Sequence, residues 1–392
     1  MSAAASAPAI RLLIAYTTAG AGHRRAAEAL AQAAEGLPGI EVECVDVLAF
    51  VPPWFGQGYP STYLFLIRRL PRLWRIGYRM LDTAAVYRAV QPLRRAWNAW
   101  AARAFARHVQ ARNPDCVMVT HFLPSDVCNS MKRSGALHAP LVVVVTDLHP
   151  HRLWLTPRAE AMVTAVPQSA EALEARGVAS SRIRVLGIPV APGFAERPDP
   201  VQARQALGLQ PDRLTVLVTS GGTTVGRFEE TVESLIALEQ TFPGRLQLVV
   251  VCGQDGWARR RLEVRASGTS MPVRLHGFVE TMAQLMGVSD VIVSKAGGLT
   301  VSEALACGKP LVLYHVVPGQ EELNASYVAQ HGAGVIAQRP GEAAAAVAAC
   351  LSDPERLPRM RRAVEALSRP HAARDIIEQV VRPLLTKAGQ PR

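Results

Sequence analysis

The chain of 392 residues exceeds what one hydrophobic core usually holds and suits two domains. Its content of 49% hydrophobic and 19% charged residues excludes a disordered chain. The net charge of +11 raises a nucleic acid or an acidic surface as a partner. No apolar run approaches the roughly 20 residues of a bilayer span. No secretory signal is expected, because Arg11 interrupts the first apolar stretch, and six scattered cysteines favour reduced thiols in the cytoplasm.

Short apolar runs alternate with helix-length segments along both halves of the chain. The predicted strands are Leu12–Tyr16, Val42–Val47, Cys116–Thr120, Leu141–Thr146, Met162–Val166 and Ile183–Leu186, then Leu214–Thr219, Leu246–Cys252, Val273–Leu275, Val291–Ser294, Leu311–Tyr314 and Gly334–Ala337. Near-continuous runs of Val, Leu and Ile are typical of buried parallel strands. We therefore expect an α/β protein with two Rossmann-like domains whose mainly parallel sheets face each other across a cleft. The expected parts are an N-terminal domain over 1–188, a proline-rich linker over 189–200, a C-terminal domain over 201–371, and a helix within 372–392 that packs back on the first domain.

A glycine-containing loop follows the first predicted strand. Gly20, Gly22 and His23 open the next helix, whose unpaired amides can face an anion. A tight turn without a ligand explains the glycines equally well. His23 favours function, since an imidazole at the carboxyl end of a parallel strand can act as a base near neutral pH.

The stretch 54–112, here called the basic-aromatic segment, carries eleven arginines, eleven aromatic residues and a single acid, Asp82. It contains a predicted short helix, Arg72–Leu81. The residues expected to meet an anionic membrane are Arg68, Arg72, Trp74, Arg75, Tyr78 and Arg79. A solvated basic face over a core-facing helix is the alternative. RNA is a third interpretation, but no RNA-binding motif accompanies the charge, and no nucleic-acid partner is expected.

Asp147, His149 and His151 alternate along one loop in a spacing that metal ligands can have. No second cluster of acids or histidines stands out, so we expect no metal and interpret the loop as one edge of the cleft.

Two further glycine-containing motifs lie in the second half. Gly221, Gly222 and Thr223 follow a predicted strand and suit either a phosphate cradle or a tight turn. The run from Ser294 to Ala306 contains the glycine pair Gly297–Gly298. There we expect Thr300 or Ser302 to cap a helix and Glu303 to accept two ribose hydroxyls, although a carboxylate in the first turn also simply balances the helix dipole.

A third motif runs from Pro318 to Asn324, after the strand Leu311–Tyr314. Gln320, Glu321 and Asn324 offer mixed donors and acceptors that suit sugar hydroxyls, whereas a polar helix start is the plainer interpretation.

These motifs resemble the donor half of the GT-B glycosyltransferases of family 28. The resemblance rests on Leu275–Met282, Ser294–Glu303 and Pro318–Ala325, and it covers most of the chain. The branch of monogalactosyldiacylglycerol synthases and bacterial diacylglycerol glucosyltransferases is the most similar, and Thr146–Trp154 and Gly187–Val190 agree with it. The fold implied is GT-B.

The resemblance also implies roles for particular residues. His23 would be the base, Glu303 would hold the ribose of a UDP-sugar, and the pair Phe278 and Val279 would flank the uracil. The donor-binding set implied is Gly221, Gly222, Thr223, Phe278, Val279, Gly297, Gly298, Leu299, Thr300, Glu303, Gln320, Glu321 and Asn324. The acceptor side would comprise Gly22, Asp147, His151 and Trp154 together with the basic-aromatic segment.

The activity implied is inverting transfer of galactose or glucose from UDP-galactose or UDP-glucose to diacylglycerol, with the UDP-sugar as a substrate and neither cofactor nor metal required. The enzyme would act in the cytoplasm, peripherally on the inner face of the cell membrane. Two alternatives remain open: another lipid acceptor, such as a polyprenyl-diphosphate-linked sugar, and a non-catalytic protein that binds nucleotide sugars or anionic lipid. A hydrolysing epimerase of UDP-N-acetylhexosamine shares the architecture, but it would have little use for the basic-aromatic segment.

Overall fold

The computed structural model describes residues 10–18, 20–196, 199–221, 226–317 and 319–388. The strands are β1 Ile10–Tyr16, β2 Ile40–Asp46, β3 Cys116–Val119, β4 Leu141–Val144, β5 Ala161–Thr164, β6 Ile183–Val185, β7 Leu214–Thr219, β8 Leu246–Val251, β9 Val273–His276, β10 Val291–Ser294, β11 Leu311–Tyr314 and β12 Gly334–Ala337. The helices are α1 Ala21–Glu35, α2 Pro53–Arg69, α3 Pro71–Leu81, α4 Ala84–Ala101, α5 Arg103–Arg112, α6 Phe122–Ser134, α7 Pro167–Glu174, α8 Pro200–Ala206, α9 Phe228–Ile236, α10 Gly256–Ala266, α11 Met282–Val288, α12 Gly298–Ala306, α13 Gln320–Gln330, α14 Pro340–Ser352, α15 Arg356–Leu367, α16 Ala372–Ile376 and α17 Arg382–Ala388.

All twelve predicted strands are present, and their ends shift by at most two residues. The central strands are buried on both faces, as Leu141–Val144 illustrates, which explains their unbroken apolar sequence. Every strand pair in both sheets is parallel, so the predicted fold class is confirmed.

Both sheets are parallel and have six strands, but their strand orders differ. The first has the strand order β2-β1-β3-β4-β5-β6, and the second has the order β12-β11-β10-β7-β8-β9. The chain reverses its direction of travel across the sheet between β1 and β3 in the first and between β7 and β10 in the second. Loops diverge at such a switch point and leave a crevice at the carboxyl ends of the strands, where open α/β sheets bind ligands.

The chain divides into two compact units, one formed by residues 1–191 with 371–392 and the other by 192–370. In the first unit, a π-helical turn, Ile377–Val381, joins α16 to α17. Ile376, Ile377 and Val381 of this C-terminal segment are buried in the same core cluster as Leu30 of α1. The terminal helix therefore contributes to the core of the first unit.

The long crossover from β2 to β3 contains the basic-aromatic segment as helices α2 to α5. The helix predicted over Arg72–Leu81 is confirmed and begins one residue earlier, at Pro71. No residue of α3 is fully buried, which leaves much of its surface at the exterior of the unit. No helix in the described ranges combines the length and apolarity that crossing a bilayer requires.

Candidate active site

His23 lies at the switch point of the first sheet. Gly20, with φ of 119°, turns the chain from β1 into α1 in a conformation that favours glycine, and Gly22 and His23 follow in the first turn. The Nδ1 atom of His23 lies 2.8 Å from the carbonyl oxygen of Thr120, which follows β3, and 2.8 Å from Oγ1 of Thr146, which follows β4. Because a carbonyl oxygen only accepts, Nδ1 carries the proton and Nε2 keeps the lone pair of a base.

Burial lowers the pKa of His23 to about 4, so the imidazole is neutral at physiological pH. Its ring contacts that of His121 edge to face, with 4.6 Å between centroids, and lies 6.2 Å from that of Trp154. Thr120 and Thr146 end predicted strands and His121 directly follows one, and this position is the signal that could have identified them from the sequence. Their contact with His23 depends on the strand order.

The loop that follows β4 packs beside His23. The indole Nε1 of Trp154 donates to a carboxylate oxygen of Asp147 at 3.0 Å, and both side chains are buried. His151 is also buried: its Nδ1 accepts from the amide of Leu153, and its Nε2 donates to the carbonyl oxygen of Tyr78 at 2.9 Å. The structure therefore brings Asp147 and Trp154 towards His23, whereas His151 ties this loop to α3.

Asp82, the single acid of the basic-aromatic segment, connects that segment to the rest of the first unit. Its carboxylate accepts from the backbone amide of Arg152 and from Nη2 of Arg176, each at 2.8 Å. Asp82 thus fixes the C-terminal end of α3 next to the loop that follows β4.

The outer surface of the basic-aromatic segment exposes both cations and large apolar side chains. On α3 the arginines Arg72, Arg75 and Arg79 are exposed, as are their neighbours Leu73, Ile76 and Met80. On α2 and α4, Trp54, Trp97 and Trp100 are 56%, 47% and 48% exposed, and their ring centroids lie 5.4–6.3 Å apart. We call these three rings the tryptophan cluster.

Two aromatic residues predicted to meet the membrane lie deeper than the tryptophan cluster. Trp74 and Tyr78 are half-buried, and the ring of Tyr78 contacts that of His151 at 4.4 Å between centroids. The side chain of Arg68 lies outside the described residues.

The second unit places glycines at the corresponding switch point. Gly221, with φ of 85°, follows β7, while Gly222 and Thr223 lie outside the described residues. Helix α12 begins at Gly298 after β10, and no side chain caps its first turn in the part of the chain that the structure describes. Leu299 is buried and Thr300 is half-buried in this turn. Its amides therefore suit an anion such as a diphosphate.

The expected cap at Thr300 or Ser302 is wrong, because Gly297 precedes the first helical residue and both hydroxyl residues lie inside the helix. The helix begins at the glycine pair, several residues before the position where a capping Thr300 or Ser302 would have started it. Glu303 consequently lies in the second turn, where dipole compensation no longer explains it, and it is only 3% exposed.

Helix α13 and the loop before it hold the third motif. Glu321 accepts from the amide of Val317 at 3.0 Å and lies 3.8 Å from Nζ of Lys295, while burial raises its pKa. Asn324 is fully buried and donates to the carbonyl oxygen of Ala296 at 2.9 Å. Gln320 is half-buried at the first position of the helix. These contacts join α13 to the loop before α12, so that the second and third motifs form one surface.

Phe278 and Val279 lie on the loop after β9. Phe278 is 57% exposed and Val279 is half-buried, which leaves an aromatic face available for stacking on a planar ring. Among all the described residues, no group of three or more His, Cys, Asp or Glu side chains is arranged to hold a metal ion.

Comparison with known proteins identifies the family. Residues 23–190 match the model of monogalactosyldiacylglycerol (MGDG) synthase, and residues 215–380 match that of the glycosyltransferase family 28 C-terminal domain. The chain is 31% identical over 387 residues to a probable monogalactosyldiacylglycerol synthase 2, chloroplastic, of Oryza sativa subsp. japonica, covering 96% of this chain and 81% of that protein. It is 30% identical over 276 residues to the processive diacylglycerol beta-glucosyltransferase of Bacillus licheniformis, covering 69% of this chain and 70% of that protein.

Solved structures agree on the fold. MurG of Acinetobacter baumannii superposes with a TM-score of 0.63 at 16% identity, covering 96% of this chain and all of that one. S. aureus MnaA with UDP superposes with a TM-score of 0.63 at 14% identity, covering 97% of this chain and 99% of that one. These neighbours have the GT-B fold. The chain therefore belongs to the monogalactosyldiacylglycerol synthase family of GT-B glycosyltransferases.

Proposed function

We propose that the protein transfers galactose or glucose from UDP-galactose or UDP-glucose to diacylglycerol and forms a β-monoglycosyldiacylglycerol. The observation that carries this proposal is the neutral His23, held through Nδ1 at the switch point of the first sheet in a chain of this family. The named relatives are a probable monogalactosyldiacylglycerol synthase and a processive diacylglycerol beta-glucosyltransferase, so a hexose and a diacylglycerol are the substrates that the family supports.

Each unit contributes residues with a role in the proposed reaction. Nε2 of His23 takes the proton of the acceptor hydroxyl as its oxygen forms a bond to the anomeric carbon. The bond from that carbon to the diphosphate oxygen breaks, and UDP leaves from the opposite face, so an α-linked donor gives a β-glycoside. The unpaired amides that begin α12 face the developing charge of the diphosphate, and Glu303 accepts from the ribose hydroxyls. With helix amides in this role, we propose that no metal ion is needed.

The lowered pKa of His23 predicts the pH dependence of kcat/KM. Burial disfavours the charged imidazolium, so the neutral base persists as the pH falls and is lost only near its pKa of about 4. The acidic limb is therefore expected near pH 4, not near the ordinary value of 6.5. Initial rates across this range would test it, with recovery of activity at pH 7.5 as the control for unfolding. An acidic limb centred at pH 6.5 would contradict the assignment.

We propose that the exposed side of the basic-aromatic segment binds the anionic inner face of the cell membrane. Arginines beside large apolar side chains suit a lipid surface, because the guanidinium groups face phosphates while the rings enter the acyl boundary. The tryptophan cluster and the outer face of α3 provide both groups within the first unit.

Removal of two of the three rings of the tryptophan cluster should weaken the binding of the protein to vesicles. Each exposed ring that enters lipid buries on the order of 100 Å² and contributes about 2 kcal/mol, so Trp97→Ser with Trp100→Ser should weaken vesicle affinity by at least about tenfold per ring. Co-sedimentation with anionic and neutral vesicles measures the change. Trp257→Ser removes a still more exposed ring, 70% exposed, from the second unit and is the control. Unchanged sedimentation of the double variant would refute the membrane assignment.

Product analysis tests the reaction itself. Incubation with each UDP-hexose and diacylglycerol, followed by proton NMR of the lipid product, should give a β-anomeric signal from at least one donor and identify the sugar. Transfer only to a polyprenyl-diphosphate-linked sugar would favour the alternative acceptor, and binding of UDP without any transfer would favour the non-catalytic alternative.

A further inference from the structure

His121 is a second imidazole at the switch point, and the proposed reaction does not use it. It precedes α6, is only 2% exposed, and its Nδ1 accepts a hydrogen bond from the amide of Leu123 at 3.1 Å. Because Nδ1 accepts, the proton of the neutral ring is on Nε2. Burial, with His23 and Arg94 nearby, holds the pKa of His121 well below its usual value, so the ring is neutral at physiological pH.

The two histidines present opposite hydrogen-bonding groups. His23 has its proton on Nδ1, where the carbonyl of Thr120 holds it, and so has an accepting Nε2. His121 has a donating Nε2, and within the described ranges its ring makes no hydrogen bond other than the one from Leu123. The ring centroids lie 4.6 Å apart at 83°. One small molecule can therefore meet a hydrogen-bond acceptor and a hydrogen-bond donor at neighbouring positions.

An aromatic path connects this pair to the exterior. From the exposed Trp54, successive ring centroids lie 5.9 Å apart to Phe55, 5.6 Å to Tyr59 and 6.2 Å to His121. These rings pass from the tryptophan cluster into the buried part of the unit. A lipid acceptor bound at the tryptophan cluster would therefore lie at one end of a continuous series of aromatic contacts whose other end is His121.

The chemistry of the attacking hydroxyl indicates which acceptor atom His121 binds. A hydrogen bond donated to that oxygen would withdraw the electron pair that forms the new bond and would oppose His23. Diacylglycerol has a second type of oxygen beside its hydroxyl, the ester carbonyl, which takes no part in bond formation. We infer that Nε2–H of His121 donates to this ester carbonyl and so orients the hydroxyl towards Nε2 of His23. The inference rests on the proposed function and adds a basis for selecting ester lipids.

Two variants separate this role from the capping of α6. His121→Asn keeps a good N-cap acceptor but lacks a donor at the position of Nε2, whereas the longer amide of His121→Gln keeps the donor and weakens the cap. If His121 only caps the helix, the His121→Asn variant should keep more activity than His121→Gln. If His121 binds the ester carbonyl, the His121→Gln variant should be the more active of the two. The exposed His138 provides the control variant His138→Asn.

The deciding measurement compares 1,2-diacylglycerol with its 1,2-dialkyl ether in otherwise identical vesicles. We expect the wild-type protein to favour the ester by about tenfold in kcat/KM, the worth of one hydrogen bond, His121→Asn to bring the ratio close to one, and His121→Gln to retain part of it. Affinity for UDP should stay unchanged in all three. A wild-type ratio of one, or a ratio that survives in His121→Asn, would overturn the inference. Transfer to the ether separates the two proposals, because it reports the proposed function without the ester contact.

Discussion

His23→Ala should lose about 10³-fold in turnover while its affinity for UDP stays that of the wild type. The loss reflects removal of a general base, which typically raises the rate of the chemical step about 10²–10⁴-fold. Affinity for UDP should persist because His23 is anchored to Thr120 and Thr146 in the first unit, whereas every residue predicted to bind the donor lies in the second. Steady-state turnover and calorimetric titration with UDP measure the two effects.

The matched control is Thr146→Val. It removes one contact of Nδ1 but leaves the bond to the carbonyl of Thr120, so the tautomer with a free Nε2 persists. We expect it to keep at least about a tenth of wild-type turnover, the loss of one neutral hydrogen bond. A His23→Ala variant as active as Thr146→Val would remove His23 from the reaction.

Glu303→Gln should weaken UDP binding about 10- to 100-fold with little effect on folding. Hydrogen bonds to a charged group contribute about 1.5–3 kcal/mol. Glutamine keeps the volume of this buried side chain, but it is uncharged and has one accepting oxygen where the carboxylate has two. The reason to expect a ligand role is its position: Glu303 is 3% exposed in the second turn of α12, where the helix dipole does not account for a carboxylate.

Selectivity distinguishes a ribose contact from a structural one. Wild-type protein should prefer UDP to a dideoxyribose analogue that lacks both ribose hydroxyls, and Glu303→Gln should lose this preference. Glu322→Gln is the control, since Glu322 accepts from the amide of Gly319 and serves the helix start. Equal loss of affinity for both nucleotides would indicate that Glu303 supports the fold of the site and does not contact the ribose.

The strands were predictable because their signal is local. Runs such as Leu141–Val144 are buried on both faces of a parallel sheet, so burial alone imposes an apolar sequence of the right length. The carboxyl ends of these strands then locate the loops of His23 and Gly221 at two switch points. Much of the candidate site follows from this rule.

The remaining features depend on contacts that sequence spacing does not encode. His121 meets His23 only because β3 pairs with β1, and this long-range pairing is not encoded in the local sequence around either histidine. In α3, the spacing of apolar residues does not show which of them are buried. Trp74 and Tyr78 are half-buried, and Tyr78 packs against His151. By contrast, Leu73, Ile76 and Met80 of the same helix are exposed. The start of α12 differs from the prediction because a glycine pair can begin a helix without a capping side chain.

Release of UDP is the most direct measure of hexose transfer from a UDP-sugar to diacylglycerol. UDP-glucose and UDP-galactose are each supplied with vesicles that contain or lack diacylglycerol, in anionic and in neutral lipid, with EDTA present throughout. If this protein transfers hexose to diacylglycerol as proposed, UDP release should require diacylglycerol, proceed in EDTA and be faster on anionic vesicles. Release that is indifferent to diacylglycerol, or no release from a protein that binds UDP, would contradict this proposal.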